Sequence, residues 1–137
     1  QEASLQRSDL TDANLEYAWL RGIVTDSDTK IETKWQIVSE IVTRGAAGAD
    51  LDRVDLRKAD LLYADLQGAN LQEANLQAAD LCRANLRDAN LQRANLRGAK
   101  LQAADLHNTD LRGADLTDAS INEEQLRDAL LDSTLLD

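Results

Sequence analysis

The sequence predicts an all-β solenoid made of five-residue turns, and three observations carry that prediction. Leucine or isoleucine stands at every fifth position from Leu51 to Ile121. Leu and Ala, 24 and 21 residues, supply most of the apolar positions, while Phe, Met and Pro are absent. The residue before each repeated Leu is nearly always Asp or Asn. An ordinary core interlocks side chains of many shapes; a core of Leu and Ala alone asks for gaps that are all alike.

The repeated positions are Leu51, Leu56, Leu61, Leu66, Leu71, Leu76, Leu81, Leu86, Leu91, Leu96, Leu101, Leu106, Leu111, Leu116 and Ile121. Two places before each stands Ala, except at Val54 and Thr109. One place before stands Asp or Asn, except at Lys100 and Ser120. The two places after it take almost any side chain. On a helix, five residues advance about 500°, so these leucines never form a stripe. On a flat strand an odd period sends alternate leucines to opposite faces. A chain that turns at every unit points each Leu inward and seats each small Ala near a corner. The Asp or Asn between them faces out, free to accept a hydrogen bond from the turn backbone.

This Ala-Asp/Asn-Leu-x-x pattern resembles the pentapeptide-repeat family. With Leu5, Leu10, Leu15 and Leu20 it covers about two thirds of the chain. The resemblance implies a right-handed quadrilateral β-helix with one unit per side and four per coil. The units present then make about five coils, spaced about 4.8 Å apart as paired strands are.

The four N-terminal leucines fall on multiples of five, whereas the main array starts at Leu51, so the register slips by one residue. The segment between is expected to leave the coil and return. Thr29-Lys30-Ile31-Glu32 reads as a capping box. Ile31, Trp35, Val38 and Val42, reinforced by Ile37 and Ile41, follow at helical spacing, and Gly45 is a natural stop. These signals predict an amphipathic helix over 29–43. The expected organisation is a single domain: a first coil at 1–20, a helical insertion at 21–48, the main array at 49–121 and a C-terminal cap at 122–137.

If Leu5 lies over Leu51, Tyr17 falls over Tyr63, with Leu62 beside them and Trp19 on the adjoining side. The inserted helix is expected to dock there through Trp35, Ile37 and Val38 or Val42. The competing reading makes Tyr17, Trp19, Trp35, Leu62 and Tyr63 a partner-binding patch. The same stacking makes one column of Ser4, Asp50, Asn70, Asn90 and Asp110, and another of Arg21, Gln67, Arg87 and His107. Amide side chains at strand spacing can form hydrogen-bonded ladders.

Past Ile121 the pattern decays. Asn122 reads as a helix N-cap followed by Glu123 and Glu124 in the first turn. Leu126, Leu130 and Leu131 are expected to cover the last coil, as the end of a solenoid requires. Leu135 and Leu136 keep a weak C-terminal dimer open beside a monomer.

Enzymatic chemistry is not expected. Catalysis needs convergent polar groups in a cleft, and this repeat spreads its Asp and Asn over convex walls. His107 lacks a motif-placed partner, and Cys82 lacks an activating neighbour and a disulfide mate. Asp50, Asp52 and Asp55 lack the Gly and closing Glu of a calcium loop. No metal, cofactor or phosphate site is expected.

Net charge is −10, which disfavours direct nucleic-acid binding. No apolar run reaches the roughly 18 residues of a membrane span, so no membrane insertion is expected. The partner expected is another protein. Some members of the resembled family act as DNA mimics on type II topoisomerases, which makes inhibition or protection of such an enzyme the alternative. Five coils make a rod of only roughly 24 Å. Residues 51–121 are nearly neutral, with eleven acids against nine bases, and both facts weigh against mimicry. A start at Gln1 fits export to periplasm or thylakoid lumen if a signal was cleaved, and cytoplasm otherwise.

Overall fold

The protein is described for residues 3–134 of a computed structural model. Its main body is a stack of coils in which backbone partners lie twenty residues apart. Asp50 pairs in parallel with Asn70, Asn70 with Asn90, Asn90 with Asp110 and Asp110 with Leu130, making the first side. The second side runs Asp55, Asn75, Asn95, Asp115; the third Asp60, Asp80, Lys100, Ser120; the fourth Asp65, Asn85, Asp105. Four units of five residues therefore complete one turn. Pairing is confined to single-residue bridges, because a corner interrupts the chain at every unit.

Each unit repeats the same bonds. The Leu N–H donates to the Asp or Asn carbonyl of the next coil, as from Leu71 to Asn90 at 2.7 Å. The Asp or Asn N–H donates backwards, as from Asn70 to the Ala49 carbonyl at 2.9 Å. At the corner the Ala N–H closes onto the Leu carbonyl three residues earlier, as from Ala74 to Leu71 at 3.1 Å. The outward carboxylate or amide then accepts from the N–H two residues on, for example Asn95 from Arg97 and Asp105 from His107, both at 3.1 Å.

One feature of the corner is invisible in the sequence. The second residue after each Leu has positive φ, whether Gly68 (63°) or a residue with a side chain such as Glu73 (55°), Ala78 (55°), Arg83 (57°) or Ala103 (58°). The position that looks chemically free is thus conformationally demanding, since a left-handed L-residue costs about 1–2 kcal/mol.

The inward residues form a dry column. Leu56 through Leu116 are buried at every repeat, and most alanines beside them are as well. Leu51 and Ile121, at the two ends, are only half-buried. Thr109 takes an Ala slot with no exposed surface by donating its hydroxyl to the Leu86 carbonyl at 2.7 Å.

The N-terminal organisation differs from expectation. The coil does not end at residue 20: Ser4 pairs with Val24 and Asp9 with Lys30. The one-residue slip is absorbed within this second turn. Leu5 donates to Val24, nineteen residues on, but Leu10 donates to Lys30, twenty residues on, so the extra residue lies between Val24 and Lys30. Thr29 is consequently no helix cap. Its hydroxyl is engaged with Asp26 and with the Leu5 carbonyl.

Helix α1 spans Thr33–Arg44, with Glu32 at its N-cap and no side-chain cap bond. It stops at Gly45 (φ 79°), whose N–H donates to Ile41. Ala46 then takes a Leu slot, donating to the Asp65 carbonyl at 2.7 Å. Instead of docking on an outer wall, α1 enters the core: Trp35, Val38, Ile41 and Val42 are buried in one cluster with Leu20 and the main leucine column. These large side chains extend the apolar core beside Leu20.

The C-terminal end is a partial continuation of the coil rather than a helical cap. Helix α2 is a single turn, Glu123–Leu126, held by a reciprocal capping box between Asn122 and Gln125. Gln125 also donates its amide to the Leu101 and Ala104 carbonyls at 2.7 and 3.0 Å. Beyond it the chain rejoins the stack, with Leu111 donating to Leu130 and Gly113 to Asp132, both at 2.9 Å. Leu126 and Leu131 pack against the core, but Leu130 occupies an outward bridge position and is exposed. Leu135 and Leu136 lie outside the described residues.

Candidate interaction surface

The stacking of the first coil decides which outer residues meet. Tyr17 N–H donates to the Lys58 carbonyl at 2.8 Å, and Glu16 pairs with Lys58 at 3.0 Å. Leu15 therefore belongs above the second side, where the expected register put it above the third. The expected column of Leu5 over Leu51 and the stack of Tyr17 on Tyr63 are both displaced by one side. Arg21 likewise leaves the column of Gln67, Arg87 and His107, and donates instead to the Leu62 carbonyl at 3.1 Å. Ser4 faces Val24 rather than Asp50.

Trp35 is core. Tyr17, Trp19 and Tyr63 remain about half exposed, at 48%, 56% and 51%, and Leu62 is half-buried between them. Helix α1 meets this region at Val42, which shares a small depression with Trp19, Leu20, Arg21 and Leu62, and its Ser39 hydroxyl donates to the Leu20 carbonyl at 3.4 Å. The structure adds two arginines to this wall. The Arg21 guanidinium lies 5.8 Å from the centre of the Trp19 ring, and that of Arg83 lies 5.5 Å from the Tyr63 ring and donates to the Tyr63 hydroxyl. The Tyr63–Arg83 pair was accessible to sequence reasoning, because twenty residues is one coil. The Arg21–Trp19 pair needed only that both lie outward on one unit.

The first side carries an amide ladder. Asn70 donates to Asp50 at 2.9 Å and Asn90 to Asn70 at 3.1 Å. It breaks at Asp110, whose carboxylate accepts from Gln92 and, in bidentate fashion, from Arg112. The Arg112 bonds, with that of Gln92 and the backbone, hold the Asp110 carboxyl at a pKa of about 2 against its partial burial. Arg57 does the same for Asp55, also about 2. Most charged side chains of the walls are spent on such pairs: Arg53 with Glu73 at 2.9 Å, Arg87 with Asp105 at 3.3 Å, Lys100 with Asp80 at 3.1 Å.

The residues weighed for chemistry are scattered. Cys82 is half-buried on the third side, its thiol donating to Gln102 at 3.0 Å; burial, and then Asp80, push its pKa up. A thiol held protonated is a poor nucleophile. His107 stands on the fourth side, 3.4 Å from an Asp128 carboxylate oxygen. Asp50 and Asp55 are engaged with Asn70 and Arg57. Among the described residues no group of three or more His, Cys, Asp or Glu is placed to hold a metal ion. Nor is any helix there long and apolar enough to cross a membrane.

The pattern is recognised independently by a family model, Pentapeptide repeats (8 copies), over residues 1–24, 49–88 and 79–118. The chain belongs to the pentapeptide-repeat family. Among solved structures, this pentapeptide-repeat protein is similar to the pentapeptide repeat protein alr5209 of Nostoc PCC 7120. They share 26% identity at a TM-score of 0.63 over 77% of this chain and 93% of that one. A thylakoid-lumen pentapeptide repeat protein of Arabidopsis thaliana, AT2G44920, matches at 22% identity and a TM-score of 0.43, over 66% of this chain and 63% of that one. HetL of Nostoc sp. PCC 7120, involved in heterocyst differentiation regulation, matches at 28% identity and a TM-score of 0.37, over 97% of this chain and 42% of that one. No curated protein matches the sequence significantly. The family fold is the right-handed quadrilateral β-helix, and such repeats generally serve as structural or interaction modules.

Proposed function

We propose that this pentapeptide-repeat protein is a non-enzymatic right-handed quadrilateral β-helix of about five coils that presents its rigid walls to another protein. The observation that carries the reading is the third side at the N-terminal end. There Trp19 and Tyr63 stand half exposed, with Tyr17 at the adjoining corner, although the chain's other tryptophan, Trp35, is buried in the core. Aromatic side chains with an apolar body and a polar tip are enriched where proteins meet. The backbone beneath them is bonded coil to coil, so the surface is preorganised and little ordering entropy opposes binding.

Charge pairing weighs against DNA mimicry. The acids of the long array are largely answered by its own arginines and lysines, including Arg57, Arg87, Arg97, Lys100 and Arg112. A duplex presents one uncompensated charge per roughly 1.7 Å of axis. The test is affinity capture from source cells with the native chain and with a Trp19→Ser/Tyr63→Ser variant, run beside a gyrase supercoiling assay. A partner held by the native chain and lost by the variant is expected. Strong inhibition of supercoiling at low protein concentration, or the same partners on both baits, would overturn the reading.

A further inference from the structure

We infer that the Trp19–Tyr63 wall receives an acidic, apolar-anchored segment of its partner, an inference that rests on the protein-interaction reading above. The argument starts from what the other cations do. Along the main array Arg53, Arg57, Arg87, Arg97, Lys100 and Arg112 each lie at ion-pair distance from a carboxylate of the chain. Arg21 and Arg83 have no such partner among the described residues. Arg21 is held by the Leu62 carbonyl and the Trp19 face, Arg83 by the Tyr63 hydroxyl and ring. Of the carboxylates of the same wall, Asp80 pairs with Lys100, while Asp60 lines the depression with Trp19, Arg21 and Leu62 and accepts from the Leu62 N–H at 3.1 Å.

In a chain of net charge −10, Arg21 and Arg83 give this wall two cations that are held by aromatic and neutral polar groups. A guanidinium stacked on an aromatic ring keeps in-plane N–H donors for a carboxylate, and stacking reduces the freedom it loses on pairing. The wall therefore holds two guanidiniums in place with no carboxylate at ion-pair distance among the described residues. Between them lie the half-buried Leu62 and the exposed ring faces, a seat for an apolar side chain.

Both guanidiniums reach the level of Leu62 and Tyr63, Arg21 through its bond to the Leu62 carbonyl and Arg83 through its bond to the Tyr63 hydroxyl. A short acidic stretch with Leu, Phe or Trp among its residues matches the wall.

Two labelled dodecapeptides test this by fluorescence anisotropy, one with Glu at every third position and Leu or Trp between, the other with Lys for each Glu. The native chain is expected to bind the Glu peptide and not the Lys peptide, more weakly as salt rises. Arg21→Gln with Arg83→Gln is expected to weaken binding at least tenfold, while thermal unfolding shows the array intact. Equal binding of both peptides, no binding of either, or an unchanged affinity in the arginine variant would overturn the inference. So would tighter binding to phosphatidylglycerol vesicles than to the Glu peptide, which would make the wall a lipid surface. If the Trp19→Ser/Tyr63→Ser bait loses a partner that the arginine variant still captures, the interaction reading stands and the acidic segment alone fails.

Discussion

Replacing Gly68 by Ala isolates the conformational cost of the corner. Gly68 has φ +63°, and a Cβ built on it would meet no heavy atom within 4 Å, so no clash enters the result. Two terms remain. Holding an L-residue in the left-handed region costs about 1–2 kcal/mol; reducing the freedom of the unfolded chain returns about 0.4–1 kcal/mol. The net expectation is a loss of about 0.5–1 kcal/mol. Ala103→Gly is the mirror experiment, at an exposed corner with φ 58°, and should stabilise by a similar amount. Urea unfolding followed by circular dichroism resolves both, since with m of about 1–3 kcal/mol/M such changes move the midpoint by about 0.2–1 M. An unchanged or raised midpoint for Gly68→Ala, together with a lowered one for Ala103→Gly, would refute the claim that these corners carry strain.

The column itself is tested by Leu81→Lys, which should unfold the array or cost several kcal/mol by burying an unpaired charge; unchanged thermal stability would contradict an inward Leu81. Thr109→Val keeps the shape of a fully buried side chain and removes its bond to the Leu86 carbonyl, for an expected loss of about 1 kcal/mol in denaturant titration. Asn70→Asp should weaken the ladder by placing a second carboxylate beside Asp50, an effect that shrinks at high salt. Arg57 and Arg112 hold Asp55 and Asp110 to pKa values of about 2. Lowered folded-state values mean their contribution is complete above the unfolded value near 3.9 and fades as pH falls through about 2. Melting temperature should therefore drop between pH 4 and pH 2, less steeply in Asp55→Asn.

The repeat was legible because each unit has one small slot, one polar hinge and one large slot, and each demands a distinct residue type. The bonds of Asp and Asn to the turn N–H follow from side-chain chemistry alone. The left-handed corners were not legible, since Arg, Glu, Asp, Ala and Tyr occupy them as readily as Gly. Nothing in the residue type announces a strain that the ladder on either side overrides. At the candidate surface, the aromatic residues stood out by rarity, but their placement depended on a register that one inserted residue near Thr25–Lys30 changed.

By itself the sequence determined the local rule: an inward Leu every fifth residue, an Ala at the corner, an outward Asp or Asn, and a helix-forming stretch ending at Gly45. It also determined that Cys82 and His107 have no motif-placed partner for chemistry. Only the tertiary structure decided which side Leu15 stacks upon, that α1 buries Trp35, Val38, Ile41 and Val42 in the core, and that the chain resumes its coil after Leu126. The physical reason is one of range. The five-residue rule is enforced by contacts within a unit and to its neighbours twenty residues away, so it repeats along the chain. Where the chain departs from that rule, position is set by which large apolar side chains must be covered, and that is known only when the ends of the column are closed.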